Sequence, residues 1–434
     1  MADYQSDKQT KREGNAISRR NLLKLAGVGG LGVIIGATGA GSVLNLVEGK
    51  AKKVDASPSS GNDIVPFYGK HQAGIATEAQ NHVYFASLEV TASSLDDLKS
   101  LFQEWTVAAS LMTQGQPVGE ALTNGYVPPK DTGEAEGLSS ANLTITFGVG
   151  PSLFVKDGKD RFGLKSKQPK ELVDLPPFPL DALKEEWTGG DICIQACADD
   201  PQVAFHAARN LLRIARGKAI LHWAQAGFQR TKQADANKET PRNLFGFKDG
   251  TANINVVDDK EMNKHVWVQG EDGPAWLTNG TYLIVRKIQM YIEVWDRTTL
   301  REQENTFGRH RASGAPLGQE KEHEKMDLAR KNEQGDYVIP EDSHARIAFG
   351  DGKQKILRRP YSYADGMDPK TGSLDAGLLF LSFQQSPSTS FIPMQERLSR
   401  IDKLNEYTVH RGSAIFAIFP GIKKGEYIGQ TLFG

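Results

Sequence analysis

The sequence has very little cysteine. Only 2 cysteines, Cys193 and Cys197, occur in 434 residues, and both stand in the apolar run 191–198, which predicts a strand. Residues four apart on a strand lie about 13 Å apart, whereas a disulfide requires Cα atoms within about 7 Å. A metal-binding pair would need helical spacing and further ligands. The pattern therefore excludes a disulfide and predicts two thiols buried in the core.

Net charge is also nearly absent. The chain carries a formal charge of -1 at pH 7, which gives it no general attraction to nucleic acid. Hydrophobic residues make up 39% of the sequence and 44 residues are glycine. This composition suits a loop-rich globular protein and not a bundle of membrane helices. The length is sufficient for a large core and for two domains.

The N-terminal region has the features of an export signal. Arg19 and Arg20 precede an uncharged run, 25–47, of 23 residues, which is long enough to span a bilayer. The run contains 7 glycines, and its mild apolarity favours a twin-arginine signal over the alternative, an uncleaved membrane anchor. The glycines at 27–32 follow no predicted strand, so they lack the context of a dinucleotide-binding loop. The twin-arginine route suits a protein that binds a cofactor before export.

The remaining sequence divides into two similar halves. We assign 1–56 to the signal segment, 57–68 to a linker, 69–232 to an N-terminal domain and 240–434 to a C-terminal domain. In each half, apolar strands alternate with amphipathic helices, which predicts an α+β protein of two ferredoxin-like domains with antiparallel β-sheets. The predicted strands are 82–90, 141–148, 191–198, 219–229, 281–294, 376–384 and 413–419, and the predicted helices are 94–112, 201–214, 298–307 and 395–404.

A long insertion without predicted regular structure separates Arg311 from Asp375. Insertions of this size are usually functional. Within it, the charged segment 319–325 predicts a solvated surface. The alternative is a docking site for ferrous iron that uses its carboxylates and His323.

One carboxylate has an unusual setting. Asp249 lies in the run 245–253, which reads Phe-Gly-Phe-Lys-Asp-Gly-Thr-Ala-Asn. Glycine permits positive φ and lets a large flat ligand approach the backbone, although Asp-Gly by itself indicates only a turn. Downstream follow His344, in Asp-Ser-His-Ala-Arg, and Arg358, in Leu-Arg-Arg-Pro-Tyr.

With these three segments in this order, the chain resembles the dye-decolourising peroxidases, which are haem enzymes. Their G-x-x-D-G motif matches 246–250, and the runs His-Gln-Ala-Gly-Ile at 71–75 and Gly-Ala-Pro-Leu-Gly at 314–318 resemble the family's exported iron-uptake branch, the deferrochelatase type. The resemblance extends from about Gly69 to the C-terminus. It implies a fold of the dimeric α+β barrel type, with one haem b bound in the C-terminal half.

The resemblance also implies how the haem is held. His344 is the expected ligand of the haem iron through a neutral imidazole nitrogen. Asp375, just before an apolar strand, is the expected acceptor of the other imidazole N–H. The residues expected to touch the porphyrin are Gly250, Thr251, Ala252, Phe349 and Gly350.

Asp249 and Arg358 are the expected catalytic residues on the open face of the haem. Hydrogen peroxide must lose a proton from one oxygen and gain one on the other, and a single positioned group can do both. Because aspartate has an ordinary pKa of about 3.9, we expect activity to be best in mild acid. Arg358 would supply a permanent positive charge beside the peroxide, and the adjacent Arg359 competes for this role.

Two functions fit this pattern. The first is a peroxidase that takes electrons from ferrous iron or small aromatic reductants and releases iron from haem, exported to the cell envelope, periplasm or exterior. Its expected partners are a membrane iron permease with a companion lipoprotein, and a second copy of the chain. The alternative is an exported haem or iron carrier, which needs His344 but not Asp249 and Arg358. Aromatic side chains are more often core residues, but those that are candidates for surface electron transfer are Trp267, Trp276, Trp295, Tyr361 and Tyr363.

Overall fold

The described part of the molecule comprises residues 63–119, 124–231, 234–235, 237 and 239–434 of a computed structural model. The predicted signal segment, 1–56, lies outside these residues, as does the first part of the predicted linker. Phe67, near the end of that linker, is buried in the core. The packed structure therefore begins before residue 69. Within the described ranges, no helix has both the length and the apolar character needed to cross a bilayer.

Antiparallel strands form the framework of the protein. The described strands are β1 (His82–Val90), β2 (Thr144–Val149), β3 (Ile192–Ala198), β4 (Ala219–Phe228), β5 (Thr281–Met290), β6 (Leu357–Arg358), β7 (Tyr361–Met367), β8 (Leu374–Gln384) and β9 (Thr408–Ile418). They belong to one sheet, in the order β5-β9-β2-β3-β1-β4-β7-β8-β6, and β5 also pairs with β8. This additional pairing closes eight of the strands into a ring.

Only short strand pairings connect the two halves of the chain. β2 pairs with β9 only through Gly148 and Val149, and β4 pairs with β7 only through Phe228 and Ser362. Within each half the pairing is more extensive, as in the ten residue pairs between β5 and β9. The first four strands therefore pair mainly with one another, as do the last strands.

Nine α-helices occur in the described ranges. They are α1 (Leu95–Met112), α2 (Pro151–Phe154), α3 (Pro201–Ile214), α4 (Asp259–His265), α5 (Ile292–Trp295), α6 (Leu300–Phe307), α7 (His344–Phe349), α8 (Phe391–Ile401) and α9 (Gln430–Phe433). Ser94 caps α1, as its side chain accepts a hydrogen bond from the Asp97 amide, and Asp200 caps α3 just before the proline at its first position. Such caps satisfy amides that a helix start leaves unpaired.

The core has separate clusters on the two faces of the sheet. The larger cluster includes Leu98 and Trp105 of α1 and Leu211 of α3. A second cluster contains alternate residues of several strands, among them Leu283 and Val285 of β5. Because successive side chains of a strand point to opposite faces, this second cluster lies on the face away from α1 and α3. The thiols of Cys193 and Cys197 are both free and buried, as predicted.

The secondary structure differs from the prediction mainly in the C-terminal half. The strand expected at 281–294 ends at Met290 and is followed by α5. The insertion from 311 to 375 contains α7, β6 and β7, so it is not devoid of regular structure. β6 and β7 both pair with β8. The insertion therefore contributes an edge of the sheet.

Candidate active site

His344 is the first residue of the short helix α7 and follows Ser343, which is fully buried. Its Nδ1 lies 2.6 Å from Asp402 Oδ2, whereas its Nε2 has no hydrogen-bond partner among the described residues. Protein surrounds the imidazole closely enough to desolvate it, yet 34% of the side chain is accessible. An imidazole that is desolvated by protein and yet partly accessible is expected where the ring faces a cavity. The free Nε2 is available as a ligand atom.

The carboxylate beside His344 is Asp402 and not Asp375, so the prediction for Asp375 was wrong. Asp375 lies near the start of β8, where its charge acts on Tyr363. Arg358 pairs with Ser382 of the same strand, and seven residues (375 to 382) correspond to about 23 Å of extended chain. Asp375 is therefore far along the strand from the site.

Asp402 is held in place by the backbone as well as by His344. It ends α8 and begins a 3₁₀ turn, where its Oδ1 accepts a hydrogen bond of 2.9 Å from the Leu404 amide. Burial lowers the pKa of His344, but the charge and hydrogen bond of Asp402 outweigh it, so the pKa of His344 is raised above its ordinary value. Asp249 also raises this pKa, and Arg358 lowers it. Both charges therefore lie within electrostatic reach of the imidazole.

Asp249 and Arg358 form a pair in the same part of the molecule. Arg358 Nη1 lies 2.5 Å from Asp249 Oδ1, and both side chains are mostly buried. Asn253 orients the strand that carries Arg358: its Nδ2 donates to the Arg358 carbonyl at 2.7 Å, and its Oδ1 accepts from the Arg358 amide at 2.8 Å. Arg359 points elsewhere, toward the carbonyl of Thr77 and the side chain of Gln80. The geometry therefore assigns the position beside Asp249 to the first arginine.

An aromatic cluster connects the Asp249 loop to the His344 helix. Phe247 stacks on Phe307, with ring centroids 4.0 Å apart and an interplanar angle of 9°. The edge of Phe307 in turn meets His344 at 6.1 Å. Trp295 donates a hydrogen bond of 3.1 Å to the Phe245 carbonyl. Because these rings are buried together, they fix the separation of the two segments.

The charged segment 319–325 is not wholly a solvated surface. Glu322 turns inward, with only 12% of its side chain exposed, and pairs with Lys248 at 2.6 Å. Burial raises the pKa of Glu322, but hydrogen bonds from Lys248, Thr240 and Thr251 lower it to about 2. His323, by contrast, is 72% exposed. No group of three or more metal-ligating side chains occurs within the described ranges, so nothing in them supports iron docking by His323.

Arg309 is a functional candidate that the sequence patterns did not indicate. Burial lowers the pKa of its guanidinium, Glu322 raises it, and the nearby positive charge of Arg358 lowers it further. Its Nη1 donates to the carbonyls of Gly314 and Glu322. A second, half-buried cation therefore lies near the Asp249–Arg358 pair. Arg309 stands in the run Gly-Arg-His-Arg at 308–311, which has no distinctive chemistry.

The residues expected to touch a porphyrin lie in two exposed or sharply bent segments. Gly250 has φ +151 and Gly350 has φ +54, and both values favour glycine. Phe349, the last residue of α7, is 41% exposed. Ala252 is exposed and Thr251 is half-buried. The Thr251 hydroxyl donates to Glu322 at 2.9 Å.

The aromatics considered as surface electron relays are all buried, which agrees with the usual place of aromatic side chains in the core. Trp295 belongs to the cluster beside His344. Trp267 stacks on His71, with ring centroids 3.8 Å apart. The exposed fractions are 5% for Trp267, 6% for Trp276, 3% for Trp295, 0% for Tyr361 and 1% for Tyr363.

The chemistry of this side-chain set fits haem. His344 offers a free ring nitrogen on an otherwise desolvated imidazole, while Asp402 fixes its other nitrogen, which is the usual arrangement of a metal-binding histidine. Asp249 and Arg358 provide an acid–base group and a permanent cation in electrostatic reach of the same imidazole. Haem iron is commonly held by one histidine in peroxidases.

Comparisons with known proteins also indicate a haem peroxidase. The profile described as "Dyp-type peroxidase, N-terminal" matches residues 72–229, and that described as "Dyp-type peroxidase, C-terminal" matches residues 240–423. A protein of Escherichia coli named Deferrochelatase is 38% identical over 426 residues, which cover 96% of this chain and 97% of that protein.

Two solved structures extend the similarity to the fold. An oxyferrous/water mixed complex of DtpA from Streptomyces lividans has a TM-score of 0.79 and 36% identity, covering 86% of this chain and 98% of that one. A DypB variant from Rhodococcus jostii RHA1 in complex with heme has a TM-score of 0.57 at 18% identity, covering 81% and 96%, which is a likeness of fold. The profiles and the curated relative together establish that this chain belongs to the Dyp-type peroxidase family and is a haem peroxidase of its deferrochelatase-like branch.

Proposed function

We propose that Asp249, Arg358 and His344 form a peroxide-reducing haem site in the C-terminal half of the chain. His344 holds the iron of one haem b through Nε2, and Asp402 keeps Nδ1 protonated and the ring oriented. Bound haem would supply the iron and the electrons that reduce peroxide, and an electron donor would then replace those electrons. The observation that carries the proposal is the pairing of Asp249 with Arg358 within electrostatic reach of an imidazole whose Nε2 is free.

Each side chain then has a distinct task. Asp249 accepts a proton from one peroxide oxygen and returns it to the other, so that water leaves. Arg358 remains protonated at any working pH and stabilises the negative charge that develops on peroxide. The present contact of 2.5 Å between them orients both groups before peroxide arrives. Asn253 maintains that orientation from the backbone side of Arg358.

Replacement of Asp249 by Asn tests this assignment. Asparagine has a similar shape but cannot accept the proton. We expect the variant to bind haem as the parent does and to lose about 10²–10⁴-fold in peroxide turnover, the usual contribution of a positioned acid–base group. Asp259→Asn, an exposed aspartate in the first turn of α4, is the matched control and should change neither property. Full turnover in Asp249→Asn would show that another group carries the proton.

We further propose that ferrous iron is a physiological electron donor and that the protein can release iron from haem. The support is the name Deferrochelatase on a relative that aligns over 96% of this chain. Peroxide-dependent oxidation of ferrous iron, followed as ferric product, tests the first activity. Appearance of metal-free porphyrin fluorescence from bound haem tests the second. Small aromatic reductants and dyes serve as comparison donors.

The cellular setting is also part of the proposal. The Arg19-Arg20 pair with its mildly apolar run supports export by the twin-arginine route to the periplasm, cell envelope or exterior. There the protein would act with a membrane iron permease and its companion lipoprotein. Fractionation of cells that express the full chain, with and without Arg19-Arg20→Lys-Lys, tests the route.

We also propose that the chain contains two ferredoxin-like units, 69–232 and 240–434. Two copies of the chain would associate as a homodimer. The strand orders β4-β1-β3-β2 and β9-β5-β8-β7 support the units, since both read 4-1-3-2 when the four strands of each order are numbered along the chain. Light scattering of the purified protein measures the oligomeric state.

A further inference from the structure

The loop that carries Asp249 has only local backbone pairing, namely an isolated bridge between Arg242 and Lys248 and a hydrogen bond of 2.7 Å from the Asp249 amide to the Pro241 carbonyl. It bends at Gly246, with φ +83, and at Gly250, with φ +151, and no helix or strand includes it. Segments without regular hydrogen bonding open more readily than strands and helices. The position of the Asp249 carboxylate therefore depends on what ties this loop to its surroundings.

Glu322 makes the main side-chain ties to this loop. Its Oε2 lies 2.6 Å from Lys248 Nζ, and its Oε1 accepts hydrogen bonds from Thr251 at 2.9 Å and from Thr240. Lys248 and Thr251 stand one residue before and two residues after Asp249. One carboxylate therefore holds both flanks of the catalytic aspartate.

The segment that carries Glu322 is also held in place. Arg309 Nη1 donates to the Glu322 carbonyl at 3.1 Å and to the Gly314 carbonyl at 2.7 Å. Arg242 Nη1 donates to the carbonyls of Gly246, at 2.8 Å, and Arg311, at 2.6 Å. The segment from 309 to 322 is therefore joined to the Asp249 loop at two separate places.

Most ion pairs at a protein surface are too mobile and too well solvated to position anything. The Lys248–Glu322 pair differs because the exposed fractions of its side chains are only 9% and 12%. Charge-assisted hydrogen bonds in such an environment are short and directional, and removal of one partner leaves a desolvated charge unpaired. The contact can therefore orient the loop.

We propose that Glu322 is a positioning residue for peroxide reduction, holding Asp249 opposite Arg358 through its contacts with Lys248 and Thr251. This inference rests on the proposed role of Asp249. Glu322 touches neither the haem ligand nor Asp249, and its effect is entirely through the loop.

Glu322→Gln tests the inference, because glutamine keeps the shape of the side chain but removes the nearer and more buried of the two carboxylates that pair with Lys248, leaving only the exposed Glu239 at 3.3 Å. Glu320→Gln is the matched control: Glu320 is exposed and lies two residues away in the same segment. We expect kcat/KM for hydrogen peroxide to fall by about 10²-fold in Glu322→Gln, as for a small displacement of a catalytic group. The haem absorbance spectrum and the KM for the electron donor should stay at parental values. The control should match the parent in all three.

A measurement without haem separates positioning from chemistry. Amide hydrogen exchange at residues 246–252 of the haem-free protein should accelerate about tenfold or more in Glu322→Gln, because charge-assisted hydrogen bonds no longer oppose opening. Glu322→Asp keeps the charge on a shorter side chain. It should recover part of both the exchange protection and the peroxide kinetics, and it serves as the test variant if Glu322→Gln does not fold.

Two results would overturn the inference. In the first, exchange at 246–252 is unchanged, so Glu322 does not hold the loop. In the second, exchange accelerates but kcat/KM for peroxide stays within about twofold of the parent, so the loop's order does not matter for the reaction. Failure of the proposed function is a different result: Asp249→Asn would keep full turnover, whatever the exchange of the Glu322 variants.

Discussion

The Asp402 side chain holds His344, and Asp402→Asn replaces one of its two oxygens by an amide nitrogen. The hydrogen bonds that the side chain makes decide how far haem affinity and stability should fall in this variant. The carboxylate uses both oxygens: Oδ2 for His344 Nδ1 at 2.6 Å and Oδ1 for the Leu404 amide at 2.9 Å. An amide has only one acceptor oxygen. One of the two donors must therefore lose its partner in the variant.

The expected loss follows from the burial of the site. A buried donor left unpaired costs about 1–3 kcal/mol, and the exposed fraction of Asp402 is only 5%. Loss of a carboxylate partner of a metal-binding histidine typically reduces affinity or activity by about 10–100-fold, or about 1.4–2.8 kcal/mol. We therefore expect haem affinity to fall by this factor, as measured by absorbance titration of haem-free protein. The free energy of unfolding should fall by about 1–3 kcal/mol.

The pH dependence has a definite sign. Asp402 raises the pKa of His344 in the haem-free protein, so the charge-dependent stabilisation is fully present below the ordinary histidine pKa of about 6.5 and is lost as pH rises through the raised value. The stability difference between parent and variant should thus be largest in acid. Haem binding needs a neutral imidazole. On acidification, haem affinity should begin to fall at a higher pH in the parent than in Asp402→Asn.

Asp375→Asn is the matched control, since it is the same chemical change at the carboxylate that the sequence pattern favoured. It should leave haem affinity and its pH profile unchanged, because Asp375 lies beside Tyr363 and not beside His344. If Asp375→Asn weakens haem binding as much as Asp402→Asn does, or if Asp402→Asn binds haem with parental affinity at every pH, the reasoning is refuted.

Two further substitutions test the support of Arg358 and the packing of the sheet. Asn253→Ala removes both hydrogen bonds to the backbone of Arg358. It should lower the free energy of unfolding by about 1–3 kcal/mol and slow the reaction with peroxide in stopped-flow. A change in the free energy of unfolding below about 0.5 kcal/mol would contradict the assignment. Gly377→Ala would place a Cβ 1.9 Å from the Ile288 carbonyl oxygen in the neighbouring strand and should cost about 1–3 kcal/mol or more in urea unfolding. Gly270→Ala, whose Cβ would have no neighbour within 4 Å, should stay within about 0.5 kcal/mol of the parent.

Local sequence patterns determined most of the helices and strands. The strand at 82–90 and the helix that Ser94 caps lie where hydrophobic periodicity predicts them. These elements carry strong signals because one face is apolar throughout. The pattern failed for β7, Tyr361–Met367, since its second half is exposed and includes a glycine. The pairing of that strand with β8 comes from its neighbour and not from its own periodicity.

The sequence also predicted Asp249, His344 and Arg358 as site residues, because each stands in a short run that resembles a family motif. It could not identify Asp402, which is 58 residues from His344 along the chain and looks locally like an ordinary turn residue. Nor could it show that Glu322 turns inward from a highly charged run. These contacts depend on which loops the closed sheet and the aromatic cluster bring together. A motif fixes the chemistry of a side chain, whereas long-range packing alone decides which partner lies within hydrogen-bonding distance of it.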